Sequence, residues 1–543
     1  MATATFDLSD LSRLLGRALS KQDIERIPLM GTPVEGIDGD CITVEVFPNR
    51  PDMLSIEGFA RALSGFLGLD DGMKKYSLKP AKVSLFNKGV ASRPFIVGAV
   101  VRNVKLDKLM IKNLMQLQEK LHDTMGRRRK KIAIGLHDIS RLEPPFYYRE
   151  AAKSESFIPL DFQAPMSLPE ILERHPKGRD YAHVLQGVSK YPILIDSKGN
   201  VLSFPPIING ELTRVTEHSS SIFVELTGTD ASALSVALNI LCSAFLDRGF
   251  VVEQVEVVAE RKALTPDFTP LEMKLDLNYC NRLLGLELSP KDAAALLKKA
   301  RYGVVKQSNP MEVLVPAYRS DVMHEIDLVE DIAIAYGYGN FNDTISDVAT
   351  VGRQHPLEQF SSRVREVMIG FGMNESLSFF LTNLERGFSA PRLRSANAVE
   401  IANPRTSDYT HFRGSLLPSL LDSLAHNSQY ELPQRLFEIG DAVVVANGEP
   451  VQTRFLSVAI VHEKANFSEA KGYLESLARE LAIPLGSVEP VSSPTFINGR
   501  AAKVNLGPSA ALVGEVSPEV LSAFGLEVPV SVFELDLSKL CPE

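Results

Sequence analysis

The segment Arg13-Leu14-Leu15-Gly16, followed by Leu19-Ser20 and Asp23, recurs as Arg282-Leu283-Leu284-Gly285, followed by Leu288-Ser289 and Asp292. The offset is constant. At the same offset Arg50 meets Arg319, Asp52 meets Asp321 and Gly68 meets Gly337, with no gap needed. A self-match at fixed spacing means two copies of one folding unit. One copy lies at the N-terminus and the other near residues 270–340.

Each copy spells the same run of elements. A helix ends near the first glycine. Ser289 then suits an N-cap, with Pro290 at the first helical position and Asp292 at the third; Ser20 and Asp23 repeat the signal. A β-rich stretch follows, Ile42 to Val46 in one copy and Val313 to Val315 in the other. Next comes Arg-x-Asp, and then a second helix. This predicts a compact α+β module of the winged or helix–strand–helix kind. Because Arg-x-Asp is common to both copies, its plain expectation is structural, with Asp52 or Asp321 capping the helix that follows.

The second copy adds Asp327, Glu330 and Asp331 where the first has Gly58, Arg61 and Ala62. The module therefore does not need these acids to fold. At i, i+3 and i+4 they share one helix face, and Asp321 lies near the start of the same element. Magnesium prefers oxygen ligands of this type. A solvated acidic face near a helix N-terminus suits the same residues. The residues alone leave both readings open.

The stretch from about 85 to 265 reads as a different domain. Gly126-Arg127-Arg128-Arg129-Lys130-Lys131 suits a phosphate backbone, or equally a solvated helix C-terminus. In Leu136-His137-Asp138 the expectation is a hydrogen-bonded structural pair. Asp196-Ser197-Lys198-Gly199-Asn200 between apolar runs signals a hairpin. It leads into Ser203-Phe204-Pro205-Pro206-Ile207-Ile208-Asn209, where two prolines beside an aromatic give a fixed apolar wall. Ile222 to Thr227 reads as a strand, and Thr227-Gly228-Thr229-Asp230 as a turn before a helix, offering N–H groups and hydroxyls. The two segments suit either a small polar pocket or an ordinary sheet rim.

The net charge of −9 over 543 residues excludes a bulk-basic nucleic-acid coat, so RNA contact must be local. Cys41, Cys242, Cys280 and Cys541 are too scattered for a paired metal or redox motif and read as reduced thiols. The start of the chain carries Asp7 and Asp10 and fits neither a signal nor a transit peptide. Ala231 to Leu246, the most apolar stretch, is too short to span a bilayer. A cytoplasmic protein with no membrane contact is expected.

An ordered set of motifs resembles one family. Asn49-Arg50-Pro51-Asp52, Gly135-Leu136-His137-Asp138, Phe204 to Asn209, Thr227 to Asp230, and Asp327-Leu328-Val329-Glu330-Asp331 with Tyr336-Gly337-Tyr338 are similar to the beta subunits of phenylalanine–tRNA ligase. Asn403-Pro404, Phe412 to Pro418 and Leu436 to Gly440 continue the match. The form is that of the archaeal and eukaryotic cytosolic branch, without the bacterial-type N-terminal RNA-binding or C-terminal anticodon-binding domains. The resemblance implies a multidomain α+β chain. Its parts would be a first module at 1–84, an editing domain at 85–265, a second module at 266–344, and at 345–543 an antiparallel-sheet module like a class II synthetase that has lost its chemistry.

The resemblance also implies roles. Asp321, Asp327, Glu330 and Asp331 would bind magnesium beside an alpha subunit, giving Asp321 a task that Asp52 lacks. Leu202, Pro205, Pro206, Asn209, Glu225, Thr227, Gly228 and Thr229 would line a pocket that hydrolyses tyrosine wrongly attached to tRNA(Phe). ATP would be a substrate of an α2β2 tetramer, with aminoacylation on alpha. In the C-terminal module a helix from Leu357 to Phe371, a strand from Glu375 to Leu381 and the Arg435-to-Gly440 strand are expected, without the arginines that hold ATP phosphates. Arg413 is expected to be structural. A structural, tRNA-docking subunit with an inactive pocket is the alternative; a free-standing deacylase fits the C-terminal module less well.

Overall fold

The computed structural model describes residues 2–345, 348 and 350–541. The chain divides into two compact units, Met1–Thr344 and Ile345–Glu543. None of the helices among the described residues is long and apolar enough to cross a membrane.

In the first unit the duplication is visible element by element. Strands Ala2–Asp7, Val34–Asp38 and Cys41–Val46 form a three-stranded antiparallel sheet with the last in the centre. Strands Leu271–Leu275, Gly303–Lys306 and Met311–Val315 repeat it in the same order. Helices Leu8–Leu15 and Leu277–Leu284 end on Gly16 and Gly285, whose φ angles of 74° and 66° lie in the left-handed region that glycine enters without steric cost. Ser20 and Ser289 cap the next helices by accepting from the N–H of Asp23 and Asp292.

Helices Ile56–Phe66 and Glu325–Tyr336 close the two modules. Their caps correct one expectation: the capping residues are Ser55 and His324, not Asp52 or Asp321. Both aspartates are turned away by the arginine two residues earlier. Arg50 donates twice to Asp52 (2.9 and 2.9 Å), and Arg319 twice to Asp321 (2.8 and 2.7 Å).

Between the modules runs a ten-stranded mixed sheet. Its strand Lys79–Asn87 pairs in parallel with Val251–Val258 and with Phe146–Ala151. That strand crosses residue 84, so the sheet begins before the boundary expected there. On strand Ser221–Gly228, Ile222, Val224 and Leu226 face one core with Leu234, Leu238 and Leu241 of helix Ala231–Asp247. Period-two alternation sends Phe223, Glu225 and Thr227 to the other face. Each fully buried aliphatic side chain contributes about 1.5–3 kcal/mol.

The second unit is built on a seven-stranded sheet that is antiparallel except where Asn374–Glu375 pairs with Gln434–Ala446. Alternation on strand Glu449–Val461 supplies two cores. Leu456, Val458 and Ile460 pack under helices Pro356–Gly370 and Phe467–Glu480. Ala459 and Val461 pack under Leu417–His426 and Pro518–Phe524. The strand expected from Glu375 to Leu381 is broken: only Asn374–Glu375 and Leu381–Thr382 pair, each with a different partner strand. Arg413 is 4% exposed and donates to Glu438 (2.6 Å) and to the Asp441 carbonyl (2.8 Å), a structural placement.

Candidate functional site

A cavity of ≈ 320 Å³ opens on the central sheet. Pro205, Pro206 and Ile208 form one wall, Ile111 and Met115 another, and Ser203, Thr213 and Glu225 bring polar atoms to it. Glu225 is 2% exposed. Ser203 donates to its Oε1 at 3.0 Å, while Oε2 is buried with no hydrogen-bond partner. A buried carboxylate oxygen without a donor is costly unless a ligand supplies one.

His137 stands behind Glu225, with Nε2 3.8 Å from Oε1. Its Nδ1 lies 2.9 Å from Thr213 Oγ1. The Thr213 hydroxyl also lies 3.1 Å from the Gly210 carbonyl and 3.4 Å from that of Leu202. Nε2 has no partner either. Asp138 faces away and accepts from Ser219 at 2.5 Å, so the expected His137–Asp138 pair does not form. Gly135 makes the close approach possible: a Cβ there would stand 2.5 Å from Glu225 Oε1 and 2.7 Å from His137 Nε2.

Of the pocket residues expected from sequence, Pro205, Pro206, Asn209 and Glu225 line this cavity. Leu202 does not; it packs in the core with Leu85 and Phe223, and its neighbour Ser203 reaches the site instead. Thr227 is fully buried and covered by Arg93, which donates to its hydroxyl (3.3 Å) and carbonyl (2.6 Å). Gly228 is pressed against the Lys131 carbonyl, and Thr229 is exposed outside the cavity.

The basic run at 126–131 forms part of the same site. Arg127, Arg128 and Arg129 have φ angles of 49°, 53° and 63°, three consecutive left-handed residues. Each costs about 1–2 kcal/mol relative to an ordinary backbone. The turn sends Arg129 inward and leaves Arg127, Arg128 and Lys130 exposed. Arg129 donates to the carbonyls of Pro206 (3.3 Å) and Ile207 (3.0 Å) and to Glu119 (2.9 Å), and lies over the Tyr181 ring. Arg93 holds the turn from below through the carbonyls of Arg129 and Lys130. Hydrogen bonding from His122 and the nearby Arg129 charge hold the Glu119 carboxyl well below its usual range, at about 2. Ser203 opens the segment read as a wall without being singled out, and nothing in the sequence marked Glu119 or Thr213; their roles come from elements distant in the chain.

The four acids of the second module do not gather. Asp321 and Asp331 are both bound by the buried Arg319, and Asp331 also takes the Tyr302 hydroxyl. Asp327 closes a capping box at the N–H groups of Met323 and His324, each at 2.7 Å. Glu330 is exposed. Among the described residues, no cluster of three or more His, Cys, Asp or Glu is placed to hold a metal. The expected magnesium shell thus does not fit this arrangement, because Arg319 already neutralises half of it. Asp321 does what Asp52 does.

Sequence comparison decides the family. The chain is 41% identical over 99% of its length to a phenylalanine–tRNA ligase beta subunit of Archaeoglobus fulgidus, covering 98% of that protein. It is 39% identical, again over 99%, to one of Methanocaldococcus jannaschii, covering all of it. This chain belongs to the phenylalanine–tRNA ligase beta-subunit family. Family models match in the same order: the B3/4 domain at 93–264, the tRNA synthetase B5 domain at 273–338, and the phenylalanyl-tRNA synthetase beta chain CLM domain at 342–537. The solved N-terminal fragment of the Pyrococcus horikoshii beta subunit superposes with a TM-score of 0.60 at 38% identity, covering 62% of this chain and 99% of the fragment.

Proposed function

We propose that this chain is the beta subunit of a heteromeric ligase that joins phenylalanine to tRNA(Phe) at the expense of ATP, and that its central cavity hydrolyses tyrosine wrongly attached to that tRNA. The single observation that carries the second part is Glu225, which lines a largely apolar cavity and whose Oε2 is buried without a donor. A phenol hydroxyl donates to it. A phenyl ring of the same shape leaves it unpaired, at a cost of about 1–3 kcal/mol. An apolar synthetic site cannot make that distinction strongly, because an added hydroxyl is poorly rejected there. The second site selects for the group that the first tolerates.

The chain's own groups suggest how the reaction runs. Ser203 spends its proton on Glu225, and the proposed reaction does not use it as a nucleophile. The proposed nucleophile is a water, positioned over the ester by the polar atoms of the cavity. Exposed Arg127, Arg128 and Lys130 hold the phosphates of the incoming tRNA end, and Arg129 fixes their turn to the proline wall.

Aminoacylation is assigned to an alpha partner in an α2β2 tetramer acting in the cytoplasm. In the second unit Arg413, a cation close to the sheet, is consumed by Glu438, which leaves it unable to hold ATP phosphates. Magnesium enters this reading as the companion of ATP; no step is routed through the acids of the second module. The test is phenylalanine-dependent aminoacylation by the chain alone and after co-expression with its alpha partner, with the complex mass recorded. Activity only in a heterotetramer is expected. Activity of the lone chain overturns the assignment.

A further inference from the structure

Residues 105–131 carry nine cations against three acids, in a chain whose net charge is −9. Arg129 and Lys131 are spent within the protein, on Glu119 and Asp230. Lys105, Lys108, Lys112, Arg127, Arg128 and Lys130 are exposed and, among the described residues, form no ion pair. They make two groups at opposite ends of helix Lys108–Asp123. Arg127, Arg128 and Lys130 stand on the left-handed turn past its end. Lys105, Lys108 and Lys112 stand around its start. Between them the 16 residues of the helix span about 24 Å.

One face of this helix, with Met110, Leu114, Leu117 and Leu121, packs into the core. On the other face Lys108, Ile111, Lys112, Met115, Gln118 and Glu119 follow the i, i+3, i+4 rows. The last two, with Ile111 and Met115, line the central cavity. Lys108 and Lys112 therefore continue the cavity wall towards the helix start. Glu119, the one acid in this stripe, is already bound by Arg129. The helix itself gains nothing from the lysines. Apart from the Asp107 cap its first turn holds no acid, and a cation there opposes the macrodipole. Lys108 and Lys112 also form a like-charged i, i+4 pair, which is unfavourable. An anion from outside the chain accounts for cations kept where the helix disfavours them.

We propose that this helix face is the track on which the single-stranded end of the tRNA lies, with its terminal nucleotide beside Arg127, Arg128 and Lys130 and its earlier phosphates on Lys105, Lys108 and Lys112. The proposal rests on the editing reading and adds to it a direction of approach. Only the aminoacyl group enters the cavity, so the strand stays outside, along the wall. Met115, 37% exposed, and half-buried Ile111 lie between the two cationic groups. They offer apolar surface to sugar and base while the ends hold phosphate. A lysine holds phosphate as a point charge, which positions a strand without reading its sequence.

The test is steady-state hydrolysis of Tyr-tRNA(Phe) by the complex with its alpha partner, as wild type and as Lys108→Gln/Lys112→Gln. A second substrate, 3′-O-tyrosyl-adenosine, carries the same ester and no phosphate. On the tRNA substrate the variant is expected to raise KM by roughly three- to tenfold with kcat retained, and to flatten the slope of log kcat/KM against log salt by about 1.4, at about 0.7 per phosphate contact. Hydrolysis of tyrosyl-adenosine is expected to be unchanged. Lys108→Arg/Lys112→Arg is expected to keep the wild-type KM. Lys291→Gln/Lys306→Gln removes two exposed cations from the second module and is expected to leave KM unchanged. A wild-type complex that does not hydrolyse Tyr-tRNA(Phe) overturns the editing reading and the track with it. With an active wild type, four results overturn the track alone: an unchanged KM in Lys108→Gln/Lys112→Gln, a loss confined to kcat, a loss shared by tyrosyl-adenosine, or an equal rise in KM in Lys291→Gln/Lys306→Gln.

Discussion

His137 Nε2 stands 3.8 Å from Glu225 Oε1, and the two side chains share the space that Gly135 leaves by having no Cβ. Both are essentially buried, and each keeps one polar atom unpaired. In Gly135→Ala the new methyl would lie 2.5 Å from the carboxylate, so the pair must separate. A hydrogen bond to a charged group contributes about 1.5–3 kcal/mol, roughly ten- to a hundredfold in rate. Hydrolysis of Tyr-tRNA(Phe) by the Gly135→Ala complex is therefore expected to fall by that factor, with aminoacylation retained. Both rates on one preparation check this.

The three left-handed arginines predict two effects of opposite sign. Arg128→Gly removes a side chain from a backbone with φ of 53° that glycine adopts freely. It should raise the melting temperature, by the equivalent of about 1 kcal/mol. The same change should weaken tRNA binding and flatten its salt dependence, by roughly 0.7 in the slope of log affinity against log salt. Thermal melting and filter binding across a salt series measure the two.

Acid should loosen the same region in two stages. Burial pushes the His122 imidazole down, and its Nε2 accepts the Ile134 N–H at 2.8 Å. Hydrogen bonding from His122, with Arg129 nearby, holds Glu119 at about 2. Both folded values lie below the unfolded ones, so their stabilisation is complete above the unfolded values and declines as pH falls. For His122 the decline starts below about 6.5, and for Glu119 it runs from about 4.5 to about 2. Melting temperature against pH should show both stages, and Glu119→Gln should shrink the lower one, to which other carboxylates held low, such as Asp10, Glu155 and Asp196, also contribute.

Arg319 is 8% exposed and neutralises Asp321 and Asp331 together. Arg319→Met leaves half-buried Asp321 and buried Asp331 without their cation, Asp331 keeping only the Tyr302 hydroxyl, and should cost about 3–5 kcal/mol. Since Arg319 already fills this role, chelation by EDTA should leave the melting temperature of the wild-type chain unchanged. A drop on chelation would show that an ion displaces the arginine.

The duplication was legible because each copy repeats strong local signals: Gly16 and Gly285 at helix ends, Ser20 and Ser289 at helix starts. These act within one turn of chain and need no tertiary partner. Arg-x-Asp misled, since an aspartate before a helix also caps one; the choice went to the adjacent arginine. In the pocket, Glu225 was legible and Thr227 was not. Alternation puts both on one face, but Arg93, far away in sequence, covers Thr227. On strand Val201–Phe204 a shift of one residue separates core Leu202 from Ser203 at the site, and no local pattern marks which faces in. Arg129 looked like one cation of a surface run. Only its left-handed backbone turns it inward.

Recognition of the tyrosine hydroxyl by Glu225 is read most directly from the ratio of hydrolysis rates for Tyr-tRNA(Phe) and Phe-tRNA(Phe) by the wild-type complex and by Glu225→Ala. The wild-type ratio is expected to be at least ten, from about 1.4 kcal/mol or more of hydroxyl recognition, and the ratio in the variant near one. A wild-type ratio near one, or a high ratio that survives in Glu225→Ala, would contradict it.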